Sequence, residues 1–535
     1  MVQKQSRDQL WSQLDQNWDL IVIGGGITGA GIFRRAVSGG LKTLLLEAAD
    51  FSSGTSSKSS KLVHGGFRYL RSGQYDVTFE SVRQREKLLR QAADLVTPLG
   101  FVLPYSESAR QKRLFHSGVI IYDLMAPKWK HRHMNRRELD GTIPMLKPQG
   151  MAGAYLYYDA LVDDSRLVLR LIQETCQDGG LALNYAKVVR LLKETTNGRV
   201  AGVAVEDSSR FNRGTLELKA KAVINATGPW TDELRRQLGR QDRVRPLRGS
   251  HLVLSFDDLP IPNAVTLMHP KDGRAMFAIP WEGRTIFGTT DLDHPYPLEQ
   301  EPFCTNQEIA YMLDAIHAIF PETNITESSI ISSFAGLRPI VRGDANNPSA
   351  ESRAHLVLEE DGLITITGGK LTIFEIMAED ALKAAAPMIG KNLSPIKHWF
   401  KPNPTQLPGN PLSVQSFHYL AGRYGQALPD LIETCSQRDL TRVNDLDMLW
   451  AELAYNARFG MVEHLDDLLL RHTRLGLLLP DGAMGDMQKV KELIAPHLFW
   501  SEEIWQSELS RYQDIYLKAY SPNPENHLKK ENYGN

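Results

Sequence analysis

The sequence predicts an α/β protein with three parts: a Rossmann-like dinucleotide-binding domain, an antiparallel-sheet domain and a C-terminal helical domain. Three observations carry this. A strand, glycine turn, helix, strand and acidic residue follow one another over residues 18–47. From Val244 to about Arg353 the pattern changes to alternating strands. Beyond the proline-rich run 401–411 the chain reads as helices.

The first element organises the rest. Leu20 to Ile23 is a short buried strand, and Gly24, Gly26 and Gly29 then fit G-x-G-x-x-G. Gly24 permits the tight turn, Gly26 lets backbone approach a pyrophosphate, and Gly29 lets helix and strand pack closely. The helix from about Thr28 to Ser38 points its amides at the phosphates. Lys42 to Leu46 is the second strand, and Glu47 at its end sits at the roughly twenty-residue offset of an acid that binds a ribose 2′-hydroxyl.

Composition sets the bounds. The chain has 535 residues and a net charge of −2, with no global field that favours nucleic acid. Cys176, Cys304 and Cys435 lie far apart, which argues against a disulfide framework, a zinc site or an iron–sulfur cluster, so no metal is expected. No apolar run approaches the roughly 20 residues of a membrane span. Residues 1–17 lack the apolar core of a secretory signal, which points to a protein that is cytoplasmic or peripheral to a membrane.

Residues 5–18 form a short helix, with Leu10, Trp11, Leu14 and Trp18 near one face; it is either docked on the first domain or a weak interfacial anchor. Residues 50–70 are rich in small hydroxyls, including Thr55, Ser56 and Ser57, and end in His64, Gly65, Gly66, Arg68 and Tyr69. Hydroxyls and backbone amides in such a loop suit a cofactor's pyrophosphate and ring edge. Gln74 to Ala93 is an exposed helix. Residues 126–137 hold five Lys or Arg, two His and a Trp. They are either a solvated loop or a patch drawn to anionic lipid headgroups.

A helix capped near Asp163 or Asp164 follows, then strands over 184–205 broken at Asn197-Gly198. The strand Leu216 to Asn225 ends in a turn of small residues, Ala226, Thr227 and Gly228, where backbone comes close to a ligand. In the strand-rich region the polar residues His251, Arg274, Thr290, Arg338 and Arg353 are the substrate candidates. His355 to Thr367 is a hairpin around Asp361-Gly362, and Gly369, Lys370, Leu371 and Thr372 open a helix to about Ala386. The tail from Ser521 is polar and expected to be disordered. No internal repeat is evident.

The segments IVIGGGITGAGI, SSKLVHGGFRYL, VINATGPW, RGSHLVL, GTTDLD, GLRPI and TGGKLT occur in this order. Together they resemble the FAD-dependent glycerol-3-phosphate dehydrogenases of aerobic respiration and the related α-glycerophosphate oxidases. The resemblance implies noncovalent FAD, held by the first motif, by the 55–66 loop, by Val188 at the adenine and by the Gly369–Thr372 turn. It implies a discontinuous FAD-binding domain (18–85, 152–245, 355–398), a substrate domain (86–151, 246–354), a helical domain (399–520) and a tail (521–535). It further implies glycerol 3-phosphate as substrate, a membrane quinone as electron acceptor and peripheral attachment to the inner membrane; a homodimer stays an open option.

The implied reaction moves a hydride from a carbinol carbon to the flavin and a proton from its hydroxyl. A phosphomonoester dianion suits arginine's planar fork. Arg338 and Arg353 are the first choices, with Arg274 and Arg68 behind them and Tyr69 beside Arg68. His64 and His251 are the candidate proton acceptors, and Lys370 orients substrate or stabilises reduced flavin. The family's Gly-Gly-Lys run usually continues with an aromatic-basic pair, where this chain has Ile373, Phe374 and Glu375. His472 also replaces an arginine common in the C-terminal signature. Both departures leave room for another polyol phosphate. The alternatives are an oxygen-using glycerophosphate oxidase, an amino-acid oxidase on the same scaffold, and a flavin-binding protein without turnover.

Overall fold

The computed structural model describes residues 7–66, 75–126, 131–147, 150–342, 354–407 and 409–532. The glycine motif sits where sequence placed it, between the strand Trp18–Ile23 and the helix Ile27–Ser38. Trp18–Ile23 is central in a parallel sheet, with Thr43–Leu46 on one side and Thr215–Asn225 on the other. Leu181–Leu183 extends the sheet beyond Thr43–Leu46. Leu363–Gly368 adds the next parallel strand and turns back into His355–Glu360. The strands are apolar on both faces because both are covered. One face packs on the helices Ile27–Ser38, Asp164–Gln177 and Phe374–Ile389. The other packs against Ala186–Lys193 and Val200–Asp207, with Trp11 and Leu14 filling its end.

A ten-stranded second sheet meets the first. At its heart Val244–Ser255 pairs antiparallel with Ile330–Val341 and with Arg284–Gly288. The order is mixed, since Ala264–Met268 pairs parallel with Val96–Ser106. Met151–Val162 also belongs here, antiparallel to Val96–Ser106. The chain therefore returns to the nucleotide-binding layers near Asp163, not at the expected 152, and Asp163 caps the returning helix by accepting the Arg166 amide at 3.1 Å. Leu62–Val63 pairs with Leu161 and Ala160 and so ends the 50–61 loop inside the second sheet.

Three further expectations change. Trp18 opens the first strand, and among the described residues the N-terminal helix spans Arg7–Ser12, ending before the expected Trp18. The helix Tyr75–Gln91 is not an exposed rod: Thr78, Ser81, Val82, Arg85 and Leu88 are buried, and the Arg85 guanidinium donates to Asp159 at 2.6 Å. The tail is ordered through the helix Pro524–Asn532, where Glu525 accepts the Asn306 amide at 2.9 Å.

The C-terminal helices are joined to the nucleotide-binding layers by buried charge. Arg471 bonds Asp50 at 2.8 Å, and Arg474 reaches Asp163 at 3.1 Å and also Asp164. Lys61 bonds Asp164 at 3.0 Å, and Arg423 bonds Asp163 at 2.9 Å. Burial alone would raise the Asp163 carboxyl, but Arg474 and Arg423 outweigh it and hold it below the usual carboxylate range. A depressed folded pKa gives stability that is complete above the unfolded value near ~4 and lost as pH falls below it. Arg474→Ala leaves two buried carboxylates short of a partner and is expected to cost about 3–5 kcal/mol. Chemical denaturation at pH 7 and at pH 3 measures both effects: the variant is less stable at pH 7, and the difference from wild type narrows in acid.

Candidate active site

The C-terminal ends of the parallel strands open into a cavity of about 1400 Å³ that continues under the second sheet. The motif occupies one end. Gly24 has φ +108°, and a Cβ there would stand 2.6 Å from the Ala226 carbonyl oxygen. Gly29 does not line the cavity; a Cβ there would fall 1.8 Å from the Gly24 oxygen, so its role is packing of helix on strand, as its place in the motif implies. Gly26 begins the helix with no side-chain cap of its own, and Ser56 Oγ accepts the next amide, Ile27 N, at 2.9 Å. Thr28 and Thr227 line the same end, as do Val188 and Gly228. Glu47 lines it too, but its carboxylate also accepts Gly25 N at 2.6 Å and Ala49 N at 2.9 Å. The acid thus braces the glycine turn as well as facing the cavity. A helix start, a glycine cradle that a Cβ would fill and a half-buried carboxylate fit a dinucleotide.

The 50–66 loop runs along the cavity. Thr55 and Ser56 line it, and the Thr55 hydroxyl donates to the Leu337 carbonyl. Ser57 does not line it: its hydroxyl bonds the Gly54 carbonyl at 3.3 Å. Gly65 is also withdrawn, because its amide donates to Tyr122 and Asp159 beneath the loop. His64 and Gly66 do face the cavity. The Gly369–Thr372 turn, all of whose residues line the cavity, is stitched to this loop. Thr372 Oγ1 accepts His64 N at 3.3 Å and donates to His64 O at 3.4 Å, and Lys370 Nζ donates to the Gly65 carbonyl at 3.4 Å. Two loops far apart in sequence therefore put His64 and Lys370 side by side.

The second sheet supplies the far wall. Asp291, with a fully buried side chain, bonds Arg338 at 2.8 Å and Arg274 at 3.2 Å, so one carboxylate aims both guanidiniums. Both arginines line the cavity. Thr290 does not; its hydroxyl accepts Ser250 N and donates to Glu308 at 2.6 Å, which removes it from the substrate candidates. His251 lines the cavity, stacks on Phe334 at 4.7 Å and shares a 2.8 Å hydrogen bond with Ser60 Oγ. Burial, then the charges of Arg338 and Lys61, push its imidazole well below the usual histidine range, so it is neutral at pH 7. A neutral imidazole beside two cations is a hydrogen-bonding group and a poor proton acceptor. Arg68, Tyr69 and Arg353 lie outside the described residues.

Sequence reasoning overlooked Ser60, which holds His251, and Asp291, which aims the arginines. Asp291 stands inside the GTTDLD segment, so a signal for it existed. Nothing in the order of residues could pair Ser60 with His251, which is 191 positions away. Gly26→Val should clash with Ser56, 3.1 Å from a Cβ at this position, and close the backbone approach to a pyrophosphate. The expected outcome is folded protein with at least tenfold less bound flavin, read as visible over ultraviolet absorbance.

With this geometry in view, the comparisons are specific. The family described as FAD dependent oxidoreductase matches residues 19–373, and the C-terminal domain of alpha-glycerophosphate oxidase matches 372–504. Glycerol-3-phosphate dehydrogenase 2 of Mycobacterium tuberculosis is 33% identical over 530 residues, covering 94% of this chain and 88% of that protein. The aerobic glycerol-3-phosphate dehydrogenase of Bacillus subtilis is 37% identical over 381 residues, covering 70% and 68%. The structure of the glycerol-3-phosphate dehydrogenase from Bacillus halodurans complexed with FAD superposes with a TM-score of 0.75 at 27% identity, covering 97% and 98%. L-alpha-glycerophosphate oxidase from Mycoplasma pneumoniae, at 16% identity and TM-score 0.56 over 72% and 97% of the two chains, shares the fold. This chain belongs to the FAD-dependent oxidoreductases, within the glycerol-3-phosphate dehydrogenase family.

Proposed function

We propose that the protein oxidises sn-glycerol 3-phosphate to dihydroxyacetone phosphate and passes the electrons to a membrane quinone. One observation carries this: a single cavity runs from the dinucleotide motif past His64 and Lys370 to the Arg274–Asp291–Arg338 cluster. The names of the relatives support the same substrate. FAD, when bound, supplies the hydride acceptor. The chain supplies the rest. Arg338 and Arg274 hold the phosphate dianion, with Arg68, Tyr69 and Arg353 completing the set. His64 takes the hydroxyl proton, since His251 is kept neutral by burial and then by its cationic neighbours. His251 and Lys370 orient the substrate. A membrane quinone is our reading of the acceptor, favoured over oxygen by dehydrogenase rather than oxidase names among the relatives, and with it goes a position in the cytoplasm at the inner membrane. No helix among the described residues is long and apolar enough to cross one.

Two experiments test this reading. Under anaerobic conditions, sn-glycerol 3-phosphate should bleach the oxidised flavin, and a soluble quinone analogue should restore it. An unbleached flavin overturns the substrate, whereas one peroxide per turnover in air, with no response to quinone, overturns the acceptor. Arg338→Ala removes charge-assisted hydrogen bonds of about 1.5–3 kcal/mol. It should raise KM for glycerol 3-phosphate by about 10–100-fold with flavin content unchanged; unaltered kinetics would remove Arg338 from the site.

A further inference from the structure

The cavity changes character beyond the arginines. Across the second sheet His251 faces Gly288, Gly288 faces Phe277, and Phe277 faces Thr266, so these positions form one row over four strands. The row starts at the polar end, with His251, and runs to Phe277 and Thr266, which line the cavity further along. Past them Phe101 and Tyr157 stand opposite each other with ring centroids 5.3 Å apart, and Phe277 meets Phe101 edge-on at 6.1 Å. Leu103, Met268 and Phe115 continue this lining. Among the described residues, then, one lobe of the cavity is walled by aromatic and aliphatic side chains. Its hydroxyls are turned on each other: Tyr157 Oη and Thr266 Oγ1 share a 3.4 Å hydrogen bond. Asp159 borders the lobe but is bonded to Arg85 at 2.6 Å and accepts the Tyr122 hydroxyl at 2.6 Å. The lobe adjoins the phosphate set. Arg274 directly precedes the strand Ala275–Trp281, whose Ala275 pairs with Met268, and all three line the cavity.

Glycerol 3-phosphate makes no use of such a surface, because each of its carbons carries an oxygen. An apolar wall beside a few placed polar groups suits a ligand with one polar end and one apolar end. We propose that the protein also oxidises sn-glycerol 3-phosphates that carry a short alkyl or acyl chain on the C1 oxygen. The inference rests on the proposed function and deepens its substrate class. The phosphate stays on Arg274 and Arg338, whose forks take its free oxygens, so the chain belongs at the other end of the glycerol. It lies along Phe277, Met268 and Phe101. The chemistry is that of the parent reaction. The C2–H bond breaks and its electron pair leaves as hydride for the bound flavin, while the C2 hydroxyl proton goes to His64. The product is the C1-substituted dihydroxyacetone phosphate, and the chain keeps all its bonds.

Two measurements on the FAD-loaded protein test this. In the first, n-alkyl phosphates from propyl to octyl, which have no carbinol carbon to oxidise, compete with glycerol 3-phosphate. Their inhibition constants should fall about threefold per added methylene and level off once the lobe is full. In the second, 1-O-hexyl-sn-glycerol 3-phosphate, an ether that cannot release glycerol 3-phosphate, should bleach the flavin anaerobically with a KM about tenfold below that of the parent substrate. Met268→Trp fills the lobe and should abolish the gain with chain length while glycerol 3-phosphate turns over as in wild type; Met268→Ala should keep the gain. If glycerol 3-phosphate bleaches the flavin and the hexyl ether does not, the proposed function stands and this inference falls. If the ether alone bleaches it, the inference stands and the parent substrate is replaced. Bleaching by neither overturns both, and equal inhibition across the alkyl series overturns the lobe. Loss of flavin from folded Met268→Trp would assign the lobe to the cofactor, and displacement of hexyl phosphate by a soluble quinone analogue would assign it to the acceptor; either result also overturns the inference.

Discussion

The loop 50–66 that lines the cavity rests on buried charge. Asp50, Asp163 and Asp164 lie at the ends of the loop's neighbours, and Arg471, Arg474, Arg423 and Lys61 close on them from two directions. His472 adds a contact to Asp50 at 3.2 Å. Each group alone would be expensive to bury, and pairing is what makes the set tolerable. The geometry that results is specific. Arg474 bonds the Ser57 carbonyl at 3.1 Å and Lys61 bonds the same atom at 2.6 Å, so the C-terminal helices hold down the middle of the loop that carries Thr55, Ser56 and His64.

This anchoring explains why a loop of small hydroxyls is not a spacer. One end leaves the parallel sheet after Thr43–Leu46, and the other enters the second sheet as Leu62–Val63. The loop thus crosses the seam between the sheets, and the cavity follows the seam. On one side are backbone amides and a helix start, which suit phosphate. On the other are Arg274 and Arg338, oriented by Asp291. The Gly369–Thr372 turn comes from the first sheet and is tied across to His64, so both sheets contribute to this stretch of the cavity wall.

His251 shows how surroundings decide a chemical role. As a residue type it suits proton transfer as well as His64 does. Enclosed by Phe334, Ser60 and two nearby cations, it loses the ability to charge and becomes a fixed polar surface. The same logic applies to Thr290, whose hydroxyl is spent on Glu308 one layer behind the cavity.

The sequence by itself determined what depends on near neighbours in the chain. The Gly24–Gly29 turn, the Asp163 cap and the Asp361-Gly362 hairpin all rest on local backbone preferences, and all stand where those preferences put them. The family resemblance extended this to the cofactor, because its motifs are contiguous. Tertiary structure alone decided which residues face the cavity. Ser57 and Gly65 sit within the same loop as Ser56 and His64 but turn away, since Gly54, Tyr122 and Asp159 capture them. Met151–Val162 joined the second sheet because Val96–Ser106 offers it a partner strand. The polar tail became a helix because Asn306 and the helices before it provide a surface to dock on. Contacts between distant positions set these outcomes, and no short stretch of sequence contains them.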